Sequence, residues 1–328
     1  MVDLHATAAR LTSGGRGILA ADESISTMSA RLEAAGVAGT EANRRDYREM
    51  LITAQGLSDT VSGVILSDET FGQTLSDGRP VPQACHDAGI LPGIKVDTGT
   101  SVLPGMGGAL VTEGLDRLGA RLADYAARGA AFAKWRAVID VRTTSPYAVH
   151  ANAAALGRYA ALCQEHGIVP IVEPEVLAGG DHDLTHSAGA TRSALEAVFA
   201  ELQEAKVDLH GIILKPNFVT PGLEGPFATA ESVAAVTFDV LRATVPAAVP
   251  GIAFLSGGHP TDAACAFLGA LNALPQKPWS LTFSFGRALV SDALAAWSGR
   301  PENVAAAQEV LLGNCRQAAE AARQPAAV

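Results

Sequence analysis

Cysteine is scarce in this 328-residue chain, and the four present, Cys85, Cys163, Cys265 and Cys315, form no CxxC pair. That scatter excludes a dense disulfide framework and reads as reduced, structural thiols. Histidine clusters are missing too. His182 and His186 stand four apart, a metal-ligand spacing, but Gly180-Asp181 points to a loop and no third ligand accompanies them. No metal site is expected. No apolar run is long enough to span a bilayer, and Met1–Arg16 lacks the apolar core and cleavage site of an export signal. A soluble cytoplasmic protein without a membrane partner is expected. Basic residues are outnumbered, 24 Lys and Arg against 34 Asp and Glu, for a formal net charge of −10. That disfavours nucleic acid, which needs a basic surface, but leaves room for a small anion in a local cationic cleft.

What is present is core material, 48% hydrophobic residues against 18% charged, with nothing that suggests disorder. Short apolar runs at 17–21, 63–66, 93–96, 131–135, 168–172, 211–214, 251–255 and 281–285 read as strands. Helical patterns fall at 6–11, 26–35, 41–54, 84–88, 114–128, 151–166, 191–206, 230–245, 262–271, 288–297 and 301–322, and the glycine-rich stretch 101–114 reads as a mobile loop. Alternation of this kind predicts a parallel sheet with helical crossovers. Eight units in this length predict a single-domain α/β fold, a closed (β/α)8 TIM barrel. No GxGxxG follows the first strand, so a dinucleotide-binding sheet loses its main support.

Barrel enzymes work at the carboxyl ends of their strands, and here every such end is polar. The stretch Gly-Ile-Ile-Leu-Lys-Pro-Asn (211–217) runs an apolar strand into Lys215, and the proline stops any helical continuation. A lysine there is costly to desolvate, and its neutral amine is a nucleophile. By the period of two along a strand, Lys95 shares a face with Asp97, Lys134 with Arg136, and Glu173 with Glu175. Asp22, within Asp22-Glu23-Ser24, and Ser256 and Arg287 complete a ring. Lys134 is expected to depress the amine pKa of Lys215 by like-charge repulsion, and the glutamates to serve proton transfer. Ser256-Gly257-Gly258 and Gly286-Arg287 follow the last two strands, the usual place for a barrel phosphate site built from N–H groups and a guanidinium. A lysine nucleophile, carboxylates and a phosphate cradle together suggest Schiff-base chemistry on a phosphorylated ketone, with no cofactor.

The same residues carry a family resemblance. Gly-Ile-Leu-Ala-Ala-Asp-Glu-Ser (17–24), Asn-Arg-Arg (43–45), Gly-Ile-Lys-Val-Asp (93–97), Phe-Ala-Lys-Trp-Arg (132–136), Ile-Val-Pro-Ile-Val-Glu-Pro-Glu (168–175), Leu-Lys-Pro-Asn (214–217), Phe-Leu-Ser-Gly-Gly (254–258) and Leu-Thr-Phe-Ser-Phe-Gly-Arg-Ala-Leu (281–289) follow one another in family order. The chain resembles the class I, Schiff-base fructose-1,6-bisphosphate aldolases over residues 17 to about 310. The resemblance implies Lys215 as the imine-forming lysine, Glu173 as acid and base for imine formation, and Asp22 as acceptor of the C4 hydroxyl proton. It implies Lys134 and Glu175 as supports for both. It places the ketose C1 phosphate on Ser256, Gly257, Gly286 and Arg287, with Gly258 in the same turn, and matches Lys95, Arg136, Arg31 and Ser24 to further binding positions. It implies a homotetramer acting on a small phosphorylated sugar.

Two departures stand out. Well-known animal members carry a lysine before the arginine matching Arg31, where this chain has Ala30, and they end in a tyrosine that folds over the site. This chain ends Gln324-Pro325-Ala326-Ala327-Val328. The last residues are therefore expected to be flexible and dispensable, with either water or a barrel residue such as Glu173 supplying the enamine proton, or that step being slow enough to limit turnover. A lysine-imine barrel of transaldolase-like or deoxyribose-phosphate aldolase-like specificity remains open, as does a non-catalytic barrel. Arg31 and Arg287 as two anchors favour a bisphosphate, and intact Lys215 and Glu173 favour an enzyme. The choice among fructose bisphosphate, sedoheptulose bisphosphate and fructose 1-phosphate stays open.

Overall fold

The computed structural model describes residues 3–323; the end of the chain discussed above, 324–328, lies outside them. Eight parallel strands close into a barrel: β1 (Gly17–Ala21), β2 (Val61–Leu66), β3 (Leu91–Lys95), β6 (Phe132–Ile139), β7 (Val169–Val176), β8 (Ile213–Leu214), β9 (Gly251–Phe254) and β10 (Ser280–Phe285), in the order β1-β10-β9-β8-β7-β6-β3-β2. Strands β4 (Gly99–Val102) and β5 (Leu110–Glu113) form a separate antiparallel pair. All residues of β1, β2, β7 and β9 are buried, as expected of parallel strands covered by helices on one face and barrel contents on the other.

Local chemistry sets the crossovers. Ser24, Thr40, Ser67, Ser145, Asp183 and Thr229 each accept a backbone N–H from the first turn of the helix they precede, so each of these helices starts on its own side-chain cap. Outside the barrel, Trp135 packs on Tyr159 of helix Pro146–Glu165, ring centroids 5.6 Å apart, facing the helices as its place between two inward charges predicts. All four cysteines are free and buried; burial pushes the Cys85 thiol up to about 12 and the Cys265 thiol to about 11.

The amino end of the barrel is closed by apolar matter. Helix Leu4–Thr12 places Ala8 and Leu11 in one cluster with Ile18, Ile65, Phe132, Val169 and Ile213. Glycine makes room for it. A Cβ on Gly93 would stand 2.2 Å from the Phe132 ring, and one on Gly63 would stand 2.7 Å from Leu11 Cδ2.

The structure departs from the sequence reading in several places, four of them near the site. Segment 101–114 is not a loop but carries the hairpin β4–β5, fixed to the barrel by Thr112, whose hydroxyl donates to the Arg136 carbonyl at 2.8 Å and whose N–H meets Asn152 Oδ1 at 3.1 Å. The helix expected from 114 begins only at Leu118, because Arg117 takes a left-handed φ of 53°. Strands β6 and β7 run on through Arg136, Glu173 and Glu175, paired along eight residues, so these three charges lie within strands rather than after them. Around 211, a 3-10 turn Leu209–Gly211 leaves β8 only two residues long, yet the Lys215 N–H still donates to Val172 O at 2.8 Å.

Candidate active site

The carboxyl end of the barrel opens into a cleft of about 440 Å³, and every residue named as a candidate lines it: Asp22, Ser24, Arg31, Lys95, Lys134, Arg136, Glu173, Glu175, Lys215, Ser256, Gly257, Gly258, Gly286 and Arg287. Four different strand ends supply its centre. On β6 and β7, Lys134 is level with Ile171 and Arg136 with Glu173, so alternation sends one charged set inward from each strand.

Lys215 Nζ lies 3.1 Å from Glu173 Oε1, and Glu173 Oε2 lies 3.2 Å from Lys134 Nζ. Lys134 also reaches across the mouth to Asp22 Oδ2 at 2.7 Å. The side chains of Lys134, Lys215 and Glu173 are each about 95% buried, so these charges exist in the barrel only as a connected set. Glu173 thus stands between the two ammoniums, and the bare repulsion expected between Lys134 and Lys215 is intercepted by a carboxylate. Burial works against the Lys134 ammonium, but Asp22 and Glu173 outweigh it and hold its pKa above the ordinary lysine range. Burial also opposes the Asp22 carboxylate, and Lys134 with Lys215 overcomes it, keeping that carboxyl well below its usual range. Glu173 is likewise lowered, against its own desolvation, by Lys134, Lys215 and Arg136. It is therefore a base in the resting site. Its Oε2 is buried, and the Lys134 ammonium at 3.2 Å is its partner.

A second layer orients the cations. Lys95 pairs with Asp97 Oδ1 at 2.9 Å, and the other oxygen of Asp97 accepts the Arg136 N–H at 3.3 Å. Arg136 Nε donates to Glu175, whose carboxylate raises the guanidinium pKa above its ordinary value against the cost of burial.

Two anion poles flank this centre. The turn Ser256-Gly257-Gly258 has φ of 60° and 94° at its glycines, and a Cβ on Gly258 would stand 2.9 Å from Arg287 Nη2, so only glycine lets the guanidinium lie against the turn. Gly286 caps helix Arg287–Trp297, whose first N–H groups have no helical acceptor. The other pole is the start of helix Ile25–Ala34, with Ser24 as its cap, Thr27 2.9 Å from the Ser24 hydroxyl, and Arg31 two turns on. Strands β10 and β1 are neighbours, so the two helix starts adjoin. Ala30 is exposed on the same helix.

His182 lies in the loop before helix Leu184–Glu204 and His186 in its first turn, 2.8 Å from Asp183, so the two do not share a helix face. Among the described residues no group of three His, Cys, Asp or Glu is placed to hold a metal ion.

The sequence reading left out Glu23, Thr27, Ser284 and the hairpin residues Gly99 and Thr100, which also line the cleft, and gave Asp97 no binding role. Thr27 was findable from its place three residues after the cap, and Ser284 from its place two before Gly286 on an inward-facing register. The hairpin residues carried no signal, because the segment around them reads as a loop.

This geometry has close counterparts. The model of the family described as fructose-bisphosphate aldolase class-I matches residues 3–325. The chain belongs to that family. It is 48% identical to the cytosolic fructose-bisphosphate aldolase 5 of Arabidopsis thaliana, over 96% of this chain and 88% of that protein. It is also 48% identical to fructose-bisphosphate aldolase B of Gallus gallus, over 95% of this chain and 86% of that one. A solved Plasmodium falciparum fructose-bisphosphate aldolase, in complex with TRAP and a small-molecule inhibitor, superposes with a TM-score of 0.95 at 44% identity. The match covers 97% of this chain and 93% of that one. The class I aldolase family and the barrel expected from the motifs are thus both met.

Proposed function

We propose that this aldolase-family chain cleaves and re-forms fructose 1,6-bisphosphate, giving dihydroxyacetone phosphate and glyceraldehyde 3-phosphate through an imine on Lys215. The reading rests chiefly on one observation: a buried lysine amine 3.1 Å from a buried carboxylate, Glu173, that a second buried lysine holds through its other oxygen. Glu173 takes a proton from Lys215, the amine attacks the C2 ketone, and a second nitrogen proton passes to the former carbonyl oxygen to make a hydroxyl. Glu173 then returns the proton to the departing hydroxyl, water leaves, and the iminium forms. Asp22, kept ionised by Lys134, accepts the C4 hydroxyl proton as the C3–C4 bond breaks and its electron pair enters the iminium as an enamine. The aldehyde departs, C3 is protonated, and water hydrolyses the iminium to release the second product.

Lys134 holds both carboxylates in place, and Glu175 holds Arg136. Ser256, Gly257, Gly258, Gly286 and Arg287 take the C1 phosphate, while Ser24, Arg31, Lys95 and Arg136 serve the other end of the substrate. We propose further that the protein is cytoplasmic and homotetrameric. Relatives named as cytosolic support the first, and among the described residues no helix is long and apolar enough to cross a membrane; light scattering on the purified protein tests the second.

Borohydride added with dihydroxyacetone phosphate is expected to inactivate the enzyme and to label Lys215 in a peptide map. Label on Lys95 or Lys134 instead would sink the assignment. Activity is expected to survive a strong chelator, and loss that zinc restores would overturn the imine route.

A further inference from the structure

The turn after β1 gives consecutive carboxylates different partners. Asp22 faces Lys134 across the barrel mouth, and Glu23 faces the first helices. The Glu23 side chain is only 10% exposed and is divided between two guanidiniums, with Oε1 2.5 Å from Arg31 Nη1 and Oε2 2.6 Å from Arg48 Nη2. The two arginines differ. Arg48 is 4% exposed, with Nη1 3.4 Å from Met28 Sδ and its guanidinium 5.4 Å from the Tyr47 ring centre. Arg31 is 29% exposed and lines the cleft. The remaining buried cation of this region, Arg44, is taken up by both oxygens of Glu69.

One carboxylate between two guanidiniums leaves a surplus positive charge, and the partner with access to the cleft is Arg31. Its contact with Glu23 engages Nη1, so Nε and Nη2 keep their donors for another anion. We propose that Glu23 is a positioning residue for the second phosphate of the substrate: Arg48 fixes Glu23 from the buried side, and Glu23 fixes Arg31 with its unused donors toward the cleft. The inference rests on the reading of Arg31 as a phosphate ligand. It matters more in this chain because Ala30 offers no second cation beside Arg31.

The test is steady-state kinetics on fructose 1,6-bisphosphate and fructose 1-phosphate for the wild type, Glu23→Gln, Arg31→Ala and the double variant. Glu23→Gln is expected to raise KM for the bisphosphate about tenfold, the size of one displaced charged contact, with a much smaller change in kcat and in KM for the monophosphate. In the Arg31→Ala background it is expected to add nothing. An unchanged ratio of the two KM values, or a full additional effect on top of Arg31→Ala, overturns the proposal. If Arg31→Ala itself leaves that ratio unchanged, the role of Arg31 fails first and the inference falls with it. Should Glu23→Gln fold poorly because Arg48 is left without its anion, Glu23→Gln with Arg48→Met removes both charges and carries the same measurement. A raised KM ratio there supports the proposal, and a wild-type ratio overturns it.

Discussion

The two ends of the same eight strands are built on opposite rules. At the amino end, glycines at 63 and 93 give way to Leu11 and Phe132, and the interior is apolar and closed. At the carboxyl end, Lys134, Lys215, Glu173 and Asp22 are nearly as well buried but charged. Close packing gives its stabilisation at once, through apolar area and dispersion. Buried ion pairs give little net stabilisation, since desolvation offsets most of their attraction. A barrel that keeps such a set at one end only has that end shaped for chemistry and the other for holding the strands in place.

The sharpest way to break this comparison is Lys215→Met. Activity is expected to fall by about four orders of magnitude or more, as when a covalent catalyst is removed, while the melting temperature changes little, because Lys134 still meets Glu173. A large drop in melting temperature would make the charged end a stability device after all. Glu173→Gln comes next: kcat is expected to fall by about 10²–10⁴-fold, the usual contribution of a positioned acid or base, with imine trapping by borohydride slowed in step. Slow turnover with trapping at the wild-type rate would place Glu173 after imine formation rather than in it.

The closed end answers the opposite experiment. Gly93→Ala puts a methyl 2.2 Å from the Phe132 ring and is expected to cost about 1–3 kcal/mol of stability by urea titration. Borohydride labelling of Lys215 at 25 °C should persist. Loss of labelling in a folded variant would show that the two ends are coupled. The smallest effect is expected from Ala30→Lys, an exposed change beside Arg31. It should lower KM for the bisphosphate by at most about fivefold, since an exposed cation contributes about 1 kcal/mol or less. An unchanged KM would mean that another residue already fills the place.

The comparison also explains what could be read before the structure. The apolar runs and the polar residue ending each run are local patterns, so the barrel and its ring of charges were legible, and every candidate residue lines one cleft. Which charge meets which was not. The pairing of Lys134 with Asp22 joins residues 112 positions apart in sequence on well-separated strands, and no local pattern encodes it. The hairpin β4–β5 was missed for a related reason: its glycines read as loop, and its order comes from Thr112 meeting both the barrel strand at Arg136 and Asn152 of helix Pro146–Glu165. The place of Glu173 between two lysines was not legible either, because sequence shows like charges nearby but not the carboxylate between them.

That bridging carboxylate has a consequence for the energetics of the whole cycle. On the proposed imine route the nitrogen of Lys215 would carry the same formal charge as an ammonium and as a protonated iminium, so Glu173 would face one charge before and after the covalent bond is made. The surrounding dipoles and ion pairs, Lys134 and Asp22 among them, need not rearrange to a new field between those two states. Reorganisation energy, which a solvent would pay at each change of charge, is kept small because the protein environment is already set for both species. The rigid pairing of buried charges thus acts as a solvent that has been oriented in advance.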